Sequence, residues 1–266
     1  MKKVDIFIPY WGDFALLKDA VESVIGQSSD QWMLTIIDDC YPSEEARHYF
    51  ENLSDARITY IRNNKNVGYA NNFNNCIEKA KEEYCTILGC DDKLLPNYVE
   101  SVLTNSLGAD FYQPQVEVID DKGSVYLPLA DKVKRLLRPK KAGRYSGERL
   151  ASSLCKGNWM YFPSIAWKTS TIKKYRFDTT NPMVCDVILE LSIIKDGGVL
   201  LLDNTVAFQY RRWPESLSSK AKETSRFHDE RKVYERFVKE FSRIGWRRAA
   251  LSAKLRITSR IHSVIS

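Results

Sequence analysis

The first ninety residues alternate short apolar runs with amphipathic helical patterns, and that alternation constrains the chain more than any other feature. Apolar runs occupy residues 4–9, 32–37, 58–61 and 84–89, and helical patterns fall over 15–25, 43–52 and 69–83. In the first helical segment Leu16, Leu17, Ala20, Val21, Val24 and Ile25 recur at three- and four-residue spacing, which is the period of one helix face. Strand, helix, strand in repetition predicts βαβ units and a mostly parallel sheet covered by helices on both faces. In such a sheet the carboxyl ends of the strands lie side by side, so residues distant in sequence line one crevice.

The residues that close each run are therefore informative. The first run ends in Pro9 and Tyr10, and the second in Asp38-Asp39. The third passes into the polar loop 62–68, and the fourth into Gly89-Cys90-Asp91-Asp92. Two adjacent carboxylates repel unless a positive charge lies between them, and Mg²⁺ or Mn²⁺ bridging a diphosphate supplies one. The alternative is a solvated turn that caps the next helix.

At 266 residues the chain can form one large domain or two small ones with a substantial core. No apolar run approaches the roughly 20 residues needed to span a bilayer, and the first apolar run contains Asp5, so it reads as a strand and not as a secretory signal. Six cysteines form no C-x-x-C pair and fit no zinc spacing, which points to a reducing cytoplasm. The net charge of +6 is concentrated late: residues 219–266 hold 13 Lys/Arg against five acids. From Phe241 onward, Ile244, Leu251, Leu255, Ile261 and Ile265 interleave with arginines and lysines, a basic amphipathic pattern suited to the anionic inner face of a membrane. No nucleic-acid reading motif accompanies that charge.

Beyond Pro96 the expected elements are a helix over 98–107, a strand over 110–119, a basic surface segment over 131–144 with a short helix, a helix over 186–195 and strands near 199–202 and 206–210. The organisation expected is a first half at 1–98, a second half at 99–218 and a basic helical tail at 219–266.

Pro9-Tyr10 after the opening strand, Gln27 closing the first helix, Ile36-Ile37-Asp38-Asp39, Asn66-Val67-Gly68 and Asn74 together resemble glycosyltransferase family 2, over residues 4 to 218. The resemblance implies a GT-A fold, Rossmann-like with a mixed sheet, and an inverting enzyme that uses a UDP or dTDP type of nucleotide-diphospho sugar. It implies a donor site at Pro9, Tyr10, Asp39, Asn66, Gly68 and Asp91, with Asp91 and Asp92 holding Mn²⁺ or Mg²⁺. Asn181-Pro182-Met183-Val184-Cys185-Asp186 resembles the segment that carries the catalytic base, which makes Asp186 the group deprotonating the acceptor hydroxyl. Tyr210-Arg211-Arg212-Trp213 resembles the final family motif, with Arg211 and Arg212 toward the diphosphate and Trp213 toward the acceptor sugar. Three departures stand out: Gly89 where a further Asp is usual, Phe73 where an Arg is frequent, and Trp213 where a His is frequent. Arg62 or Lys65 is then expected to substitute for the arginine.

The expected activity is metal-dependent sugar transfer to a glycan or lipid-linked acceptor in surface polysaccharide synthesis, by a protein peripheral on the cytoplasmic membrane face. Two alternatives are a nucleotidyltransferase of similar fold and a non-catalytic module that binds a sugar nucleotide or a membrane. The first usually needs a glycine-rich basic loop after the first strand, which Tyr10-Trp11-Gly12-Asp13 is not.

Overall fold

The structure, a computed structural model, describes residues 2–106, 108–212 and 225–255. The elements in chain order begin β1 (Val4–Tyr10), α1 (Phe14–Ile25), β2 (Trp32–Asp38), α2 (Glu45–Glu51), β3 (Ile58–Arg62), α3 (Tyr69–Lys79) and β4 (Tyr84–Ile87). Next come β5 (Lys93–Leu94), α4 (Tyr98–Asn105), β6 (Phe111–Ile119), α5 (Leu129–Leu137), β7 (Gly143–Ser146) and α6 (Gly147–Lys156). The last described elements are β8 (Ala166–Lys168), α7 (Thr169–Tyr175), α8 (Cys185–Lys195), β9 (Val199–Arg211), α9 (Ser225–Arg243) and α10 (Arg247–Leu255).

One sheet runs through the molecule in the order β3-β2-β1-β4-β8-β6-β9-β5, with β7 pairing to β9. β1, β2, β3 and β4 are mutually parallel. β8 is antiparallel to both β4 and β6, so it restores the original direction in β6, and β9 is parallel to β6. Six strands therefore end at one edge.

The period of two in β1 divides its side chains between faces. Ile6 and Ile8 join α1, α2 and α4, whereas Phe7 joins α3, α6, α8, α9 and α10. Both faces are covered, as the sequence pattern requires. Val233, Tyr234, Phe237, Phe241, Ala249, Ala250 and Ala253 are all buried in the second of these layers. The basic tail, expected as a membrane helix, thus packs on the domain as far as Leu255. Ser252 bonds Ser152 on α6 at 2.9 Å, and the Arg248 N–H donates to Glu148 at 2.6 Å. Ile261 and Ile265 lie outside the described residues.

Local differences from the sequence pattern have local causes. The third helix stops at Lys79, short of 83, because the Asp5 carboxylate takes the N–H groups of Lys81 and Glu82 at 2.6 and 2.8 Å. Helix α2 starts at Glu45, with its cap residue Glu44 making no side-chain cap and Ser43 Oγ accepting from the Glu45 N–H. The two late strands are one, β9, bent by register shifts against β6 around Gln113–Val116. Helix α6, which carries Leu150, Ala151, Leu154 and Cys155 into the core, has no counterpart among the elements expected from sequence.

Candidate active site

The common edge gathers the expected residues. Tyr10 pairs in register with Asp38 across β1 and β2, and Asp38 with Arg62 across β2 and β3. Tyr10 is buried with its hydroxyl on the Gly12 carbonyl at 2.9 Å, and Tyr41 packs on both Tyr10 and the exposed Trp11 at 5.3 Å. Tyr10, Trp11 and Tyr41 thereby form an aromatic cluster beside Pro9 at the carboxyl ends of β1 and β2.

The acidic pair after β2 divides its work. Asp38 is fully buried and accepts from the Tyr41 N–H, the Tyr60 hydroxyl and Arg62. Asp39 accepts from Asn63 Nδ2 at 2.8 Å and from the N–H groups of Val67 and Gly68, both at 2.9 Å. A carboxylate offers about four lone-pair sites, so these three bonds use most of them in a side chain only 2% exposed. Asp39 thus sets the shape of the 63–68 loop. Asn66 Oδ1 also accepts from the Gly68 N–H at 3.0 Å, and Gly68, at φ +82°, sits in the left-handed region that a side chain would disfavour. Arg62, expected from sequence as a diphosphate contact, is paired with Asp38 and Glu44 at 3.0 Å each. That assignment is corrected: its charge neutralises buried and rim carboxylates of the protein. Lys65 stays exposed on the same loop.

The second acidic pair lies beyond β4. Asp92 is only 2% exposed, with Oδ1 accepting the Arg211 main-chain N–H at 2.8 Å, while Asp91 is half-buried. Burial, and then the neighbouring Asp91 charge, push the Asp92 carboxyl well above the usual range. Gly89 explains how two carboxylates fit there. A Cβ on Gly89 would lie 2.5 Å from Asp92 Oδ2 and 3.1 Å from Asp91 Oδ1. Both side chains crowd the space that glycine leaves, so a side chain at position 89 would require the Asp92 carboxylate to turn.

No cluster of three or more His, Cys, Asp or Glu ligands occurs among the described residues. A pair of carboxylates nevertheless fits Mg²⁺ or Mn²⁺ chemistry, in which the protein supplies one or two carboxylates and the substrate phosphates and water complete the octahedron.

Arg211 and Arg212 sit differently from the sequence expectation. The Arg211 guanidinium is buried and donates to the carbonyls of Asp91 at 2.8 Å, Asp120 at 3.2 Å and Asp121 at 2.9 Å, and to the Asp19 carboxylate at 3.2 Å. Arg212 makes a bidentate pair with the buried Asp131 at 2.6 and 3.0 Å. Both are engaged with protein groups, behind the acidic loop and beside it. Trp213 lies outside the described residues.

The segment leading to Asp186 is fastened to α3. Asn74 holds Phe177 from both sides, accepting its N–H at 2.8 Å and donating to its carbonyl at 3.1 Å. The Tyr69 hydroxyl, in the first turn of α3, reaches Met183 Sδ at 3.3 Å. Asp186, in the first turn of α8, follows three residues after Met183, which this contact ties to the first turn of α3. Phe73 stacks on Phe162 at 5.4 Å and meets Phe177 at 5.2 Å, so an arginine there would disrupt an aromatic cluster.

Two further buried charged residues belong to this region. Glu190, one turn beyond Asp186, is 1% exposed and neither carboxylate oxygen has a hydrogen-bond partner among the described residues; Asn158 approaches without completing a bond. Burial, and then Asp186, push its carboxyl well above the usual range. Lys134 of α5 donates to the Met160 carbonyl at 2.9 Å and lies over the Tyr161 ring at 4.2 Å. Burial and the Arg212 charge push its ammonium down to about 8, against the pull of Asp131, Asp186 and Glu190. Of the two, the sequence offers Glu190 as an alternative base to Asp186, whereas Lys134 reads only as part of the basic segment 131–144.

Comparison with known proteins decides the family. The model of Glycosyl transferase family 2 matches residues 5–170. The chain belongs to that family. Family 2 relatives include a putative colanic acid biosynthesis glycosyl transferase, WcaA, of Escherichia coli K12, 35% identical over 138 residues, covering 48% of this chain and 49% of that protein. Another is a Campylobacter jejuni GalNAc(5)-diNAcBac-PP-undecaprenol beta-1,3-glucosyltransferase, 29% identical over 106 residues, covering 39% of this chain and 34% of that protein. The matches span about half or less of these relatives. Among solved structures, S. aureus TarS 1-349 in complex with UDP-GlcNAc superposes with a TM-score of 0.66 at 11% identity, covering 88% of this chain and 66% of that one. The mannosyltransferase PcManGT from Pyrobaculum calidifontis, in complex with GDP-Man and Mn²⁺, superposes with a TM-score of 0.63 at 11% identity, covering 97% and 72%. The nine-stranded mixed sheet with helices on both faces is the GT-A fold.

Proposed function

We propose that this family 2 member transfers a sugar, with inversion, from a nucleotide-diphospho donor to a glycan or lipid-linked acceptor in surface polysaccharide synthesis. The observation that carries the reading is the convergence of Asp91 and Asp92 on the side-chain-free face of Gly89, at the sheet edge that also carries the Asp39-organised loop and the Tyr10–Tyr41 aromatic pair. The kinds of reaction named for the WcaA and Campylobacter relatives support polysaccharide assembly and a lipid-linked acceptor. The Mn²⁺ and nucleotide sugar bound by PcManGT, and the UDP-GlcNAc bound by TarS, support the cofactor and donor class.

In this reading the base lies against Pro9, Tyr10 and Tyr41, within reach of the remaining acceptor site of Asp39. The loop carrying Asn66 and Gly68, held by Asp39, leads into the positive end of α3, which would face the donor. Asp91 and Asp92 would hold a divalent cation, whose charge stabilises the departing diphosphate. Asp186 accepts the acceptor hydroxyl's proton as that oxygen attacks the anomeric carbon; one C–O bond forms while the bond to the diphosphate breaks. Arg211 keeps the acidic loop in place from behind, and contact with the diphosphate falls to Lys65. Trp213 is proposed to stack on the acceptor sugar.

Thermal shift against a panel of UDP, dTDP and GDP sugars, with and without Mn²⁺, tests the assignment, since a ligand that binds only the folded state stabilises it by mass action. Stabilisation that requires both sugar nucleotide and Mn²⁺ is expected. Its absence for every nucleotide, or its persistence in Asp91→Asn/Asp92→Asn, would overturn the reading.

A further inference from the structure

Half of the twelve exposed large hydrophobic side chains among the described residues fall within residues 125–136. Val125 (61% exposed), Tyr126 and Leu127 form a strap that leads into α5, and Leu129 (74%), Val133 and Leu136 (76%) continue along the helix. At about 100° per residue, Leu129, Val133 and Leu136 lie within an arc of about 60° on one side of α5. The opposite side, through Asp131 and Lys134, faces the protein. An outward apolar stripe on a single short helix has no folding role, because folding buries such a stripe.

The charge around the stripe says what covers it. Residues 122–144 carry eight Lys/Arg and one acid, Asp131, giving +7 in a chain whose total is +6. Asp131 is buried and paired with Arg212, so it contributes no negative charge to the face. Lys122, Lys132, Arg135, Lys140, Lys141 and Arg144 are all exposed. A second copy of the chain docking through this face in a two-fold dimer would set like charges against each other. A nucleic acid would meet the charge but leave the leucines in water. Apolar side chains aimed outward, flanked on the same helix by exposed Lys132 and Arg135, match an interface of anionic headgroups over acyl chains.

We propose that the strap 125–128 and helix α5 dock the protein on an anionic lipid surface, with Leu129, Val133 and Leu136 inserted among the acyl chains. This surface is distinct from the basic tail, whose described part packs on α6. The orientation it produces rests on the lipid-linked acceptor reading above. A cavity of about 250 Å³ runs beneath the strap, walled by Val116, Val118, Val125 and Trp159, and reaches Asp131 and Lys134. Lys134, on the inward face of α5, lies within electrostatic range of Asp186 and Glu190, so α5 belongs to the same half of the fold as the proposed base.

The test is co-sedimentation of the full chain with vesicles of phosphatidylglycerol and phosphatidylcholine in equal parts, beside vesicles of phosphatidylcholine alone. Wild type is expected to sediment with the anionic vesicles only, and less so in 0.5 M salt, where surface charges are screened within a few ångströms. Leu129→Ser/Leu136→Ser should weaken binding at least about tenfold, as should Lys132→Glu/Arg135→Glu. All four side chains are exposed, so Tm is expected to hold. Leu136→Trp should show a blue shift in its fluorescence on vesicle addition, which a purely ionic contact would not give. Wild-type binding by the serine variant, or no vesicle binding by wild type, would overturn the proposal. Nucleotide-dependent thermal shift separates the two readings: both variants should keep the wild-type shift, and its absence in wild type would sink the proposed transfer reaction and leave lipid docking standing.

Discussion

Arg211 grips the acidic loop at two successive residues: its main-chain N–H donates to Asp92 Oδ1 and its side-chain Nε donates to the Asp91 carbonyl, both at 2.8 Å. The last residue of β9 thus fixes the loop after β4, although β8 and β6 stand between β4 and β9 in the sheet order. Further bonds from the same guanidinium to the Asp120 and Asp121 carbonyls join the end of β6 to this clamp. The acidic pair therefore depends on the last strand of the chain as much as on its own.

Arg211→Lys should consequently destabilise the protein. Lysine keeps the charge but cannot reach three carbonyls and a carboxylate with one ammonium group. Leaving several of these buried acceptors unpaired is expected to cost about 2–4 kcal/mol. Urea denaturation measures it; a loss below about 0.5 kcal/mol would show that the clamp is redundant.

Gly89→Ala should cost metal-dependent nucleotide binding more than fold. The new methyl would lie 2.5 Å from Asp92 Oδ2 and 3.1 Å from Asp91 Oδ1, so at least one carboxylate must turn away. Overpacking of this size costs about 1–3 kcal/mol, and Mn²⁺-dependent binding should fall at least about tenfold, as a cation held by misplaced ligands is held weakly. Gly12→Ala is the control, since its Cβ would meet only Cys90 Sγ at 3.5 Å. Equal titrations for the two variants would remove Gly89 from the account of the site.

The strand ends were legible because each apolar run is short and punctuated, so Tyr10, Asp38, Asp39, Asp91 and Asp92 could be assigned to one edge before the sheet order was known. The partners of those residues were not legible. Arg211 reads as a phosphate ligand from its sequence neighbourhood, because the carbonyls of Asp91, Asp120 and Asp121 leave no trace in residue type. Arg62 misleads for the same reason: its pairing with Asp38 follows from strand register, which the sequence does not encode locally. Phe73 departs visibly from the family pattern, yet its aromatic partners Phe162 and Phe177 lie about ninety to a hundred residues away. The tail read as amphipathic because it is so, but alternation alone does not tell a membrane from α6 as the surface that receives it.

Glu190→Gln should stabilise the protein at neutral pH. The folded-state pKa of Glu190 is raised above its ordinary value near 4.5, chiefly by burial. Its contribution to stability is therefore fully present below pH 4.5 and is lost as pH rises through the folded-state value. Glutamine carries no charge to bury, so the variant should melt higher than wild type at pH 8, with the difference vanishing near pH 4. In a chain of this size about 1 kcal/mol moves Tm by roughly 2–4 °C. A variant that melts lower at pH 8 would show that the ionised carboxylate has a partner, and Lys134 would be the first suspect.

Asp186→Asn should separate chemistry from binding. Asp186 lies in the first turn of α8, and the Asn74–Phe177 and Tyr69–Met183 contacts hold the segment leading to it whatever occupies position 186. Asparagine preserves shape and helix-start preference but cannot accept the acceptor's proton. Transfer should fall by about 10²–10⁴-fold, the usual cost of losing a general base, while Mn²⁺-dependent thermal shift with the sugar nucleotide stays at the wild-type value. Glu190 sits one helical turn away, so the double variant with Glu190→Gln decides whether it relays. If Asp186 alone is the base, the second substitution adds little to the rate loss; if Glu190 substitutes for it, activity remaining in Asp186→Asn disappears in the double variant. Near-wild-type turnover in Asp186→Asn would move the base elsewhere, with Asp178 the next carboxylate along the same segment.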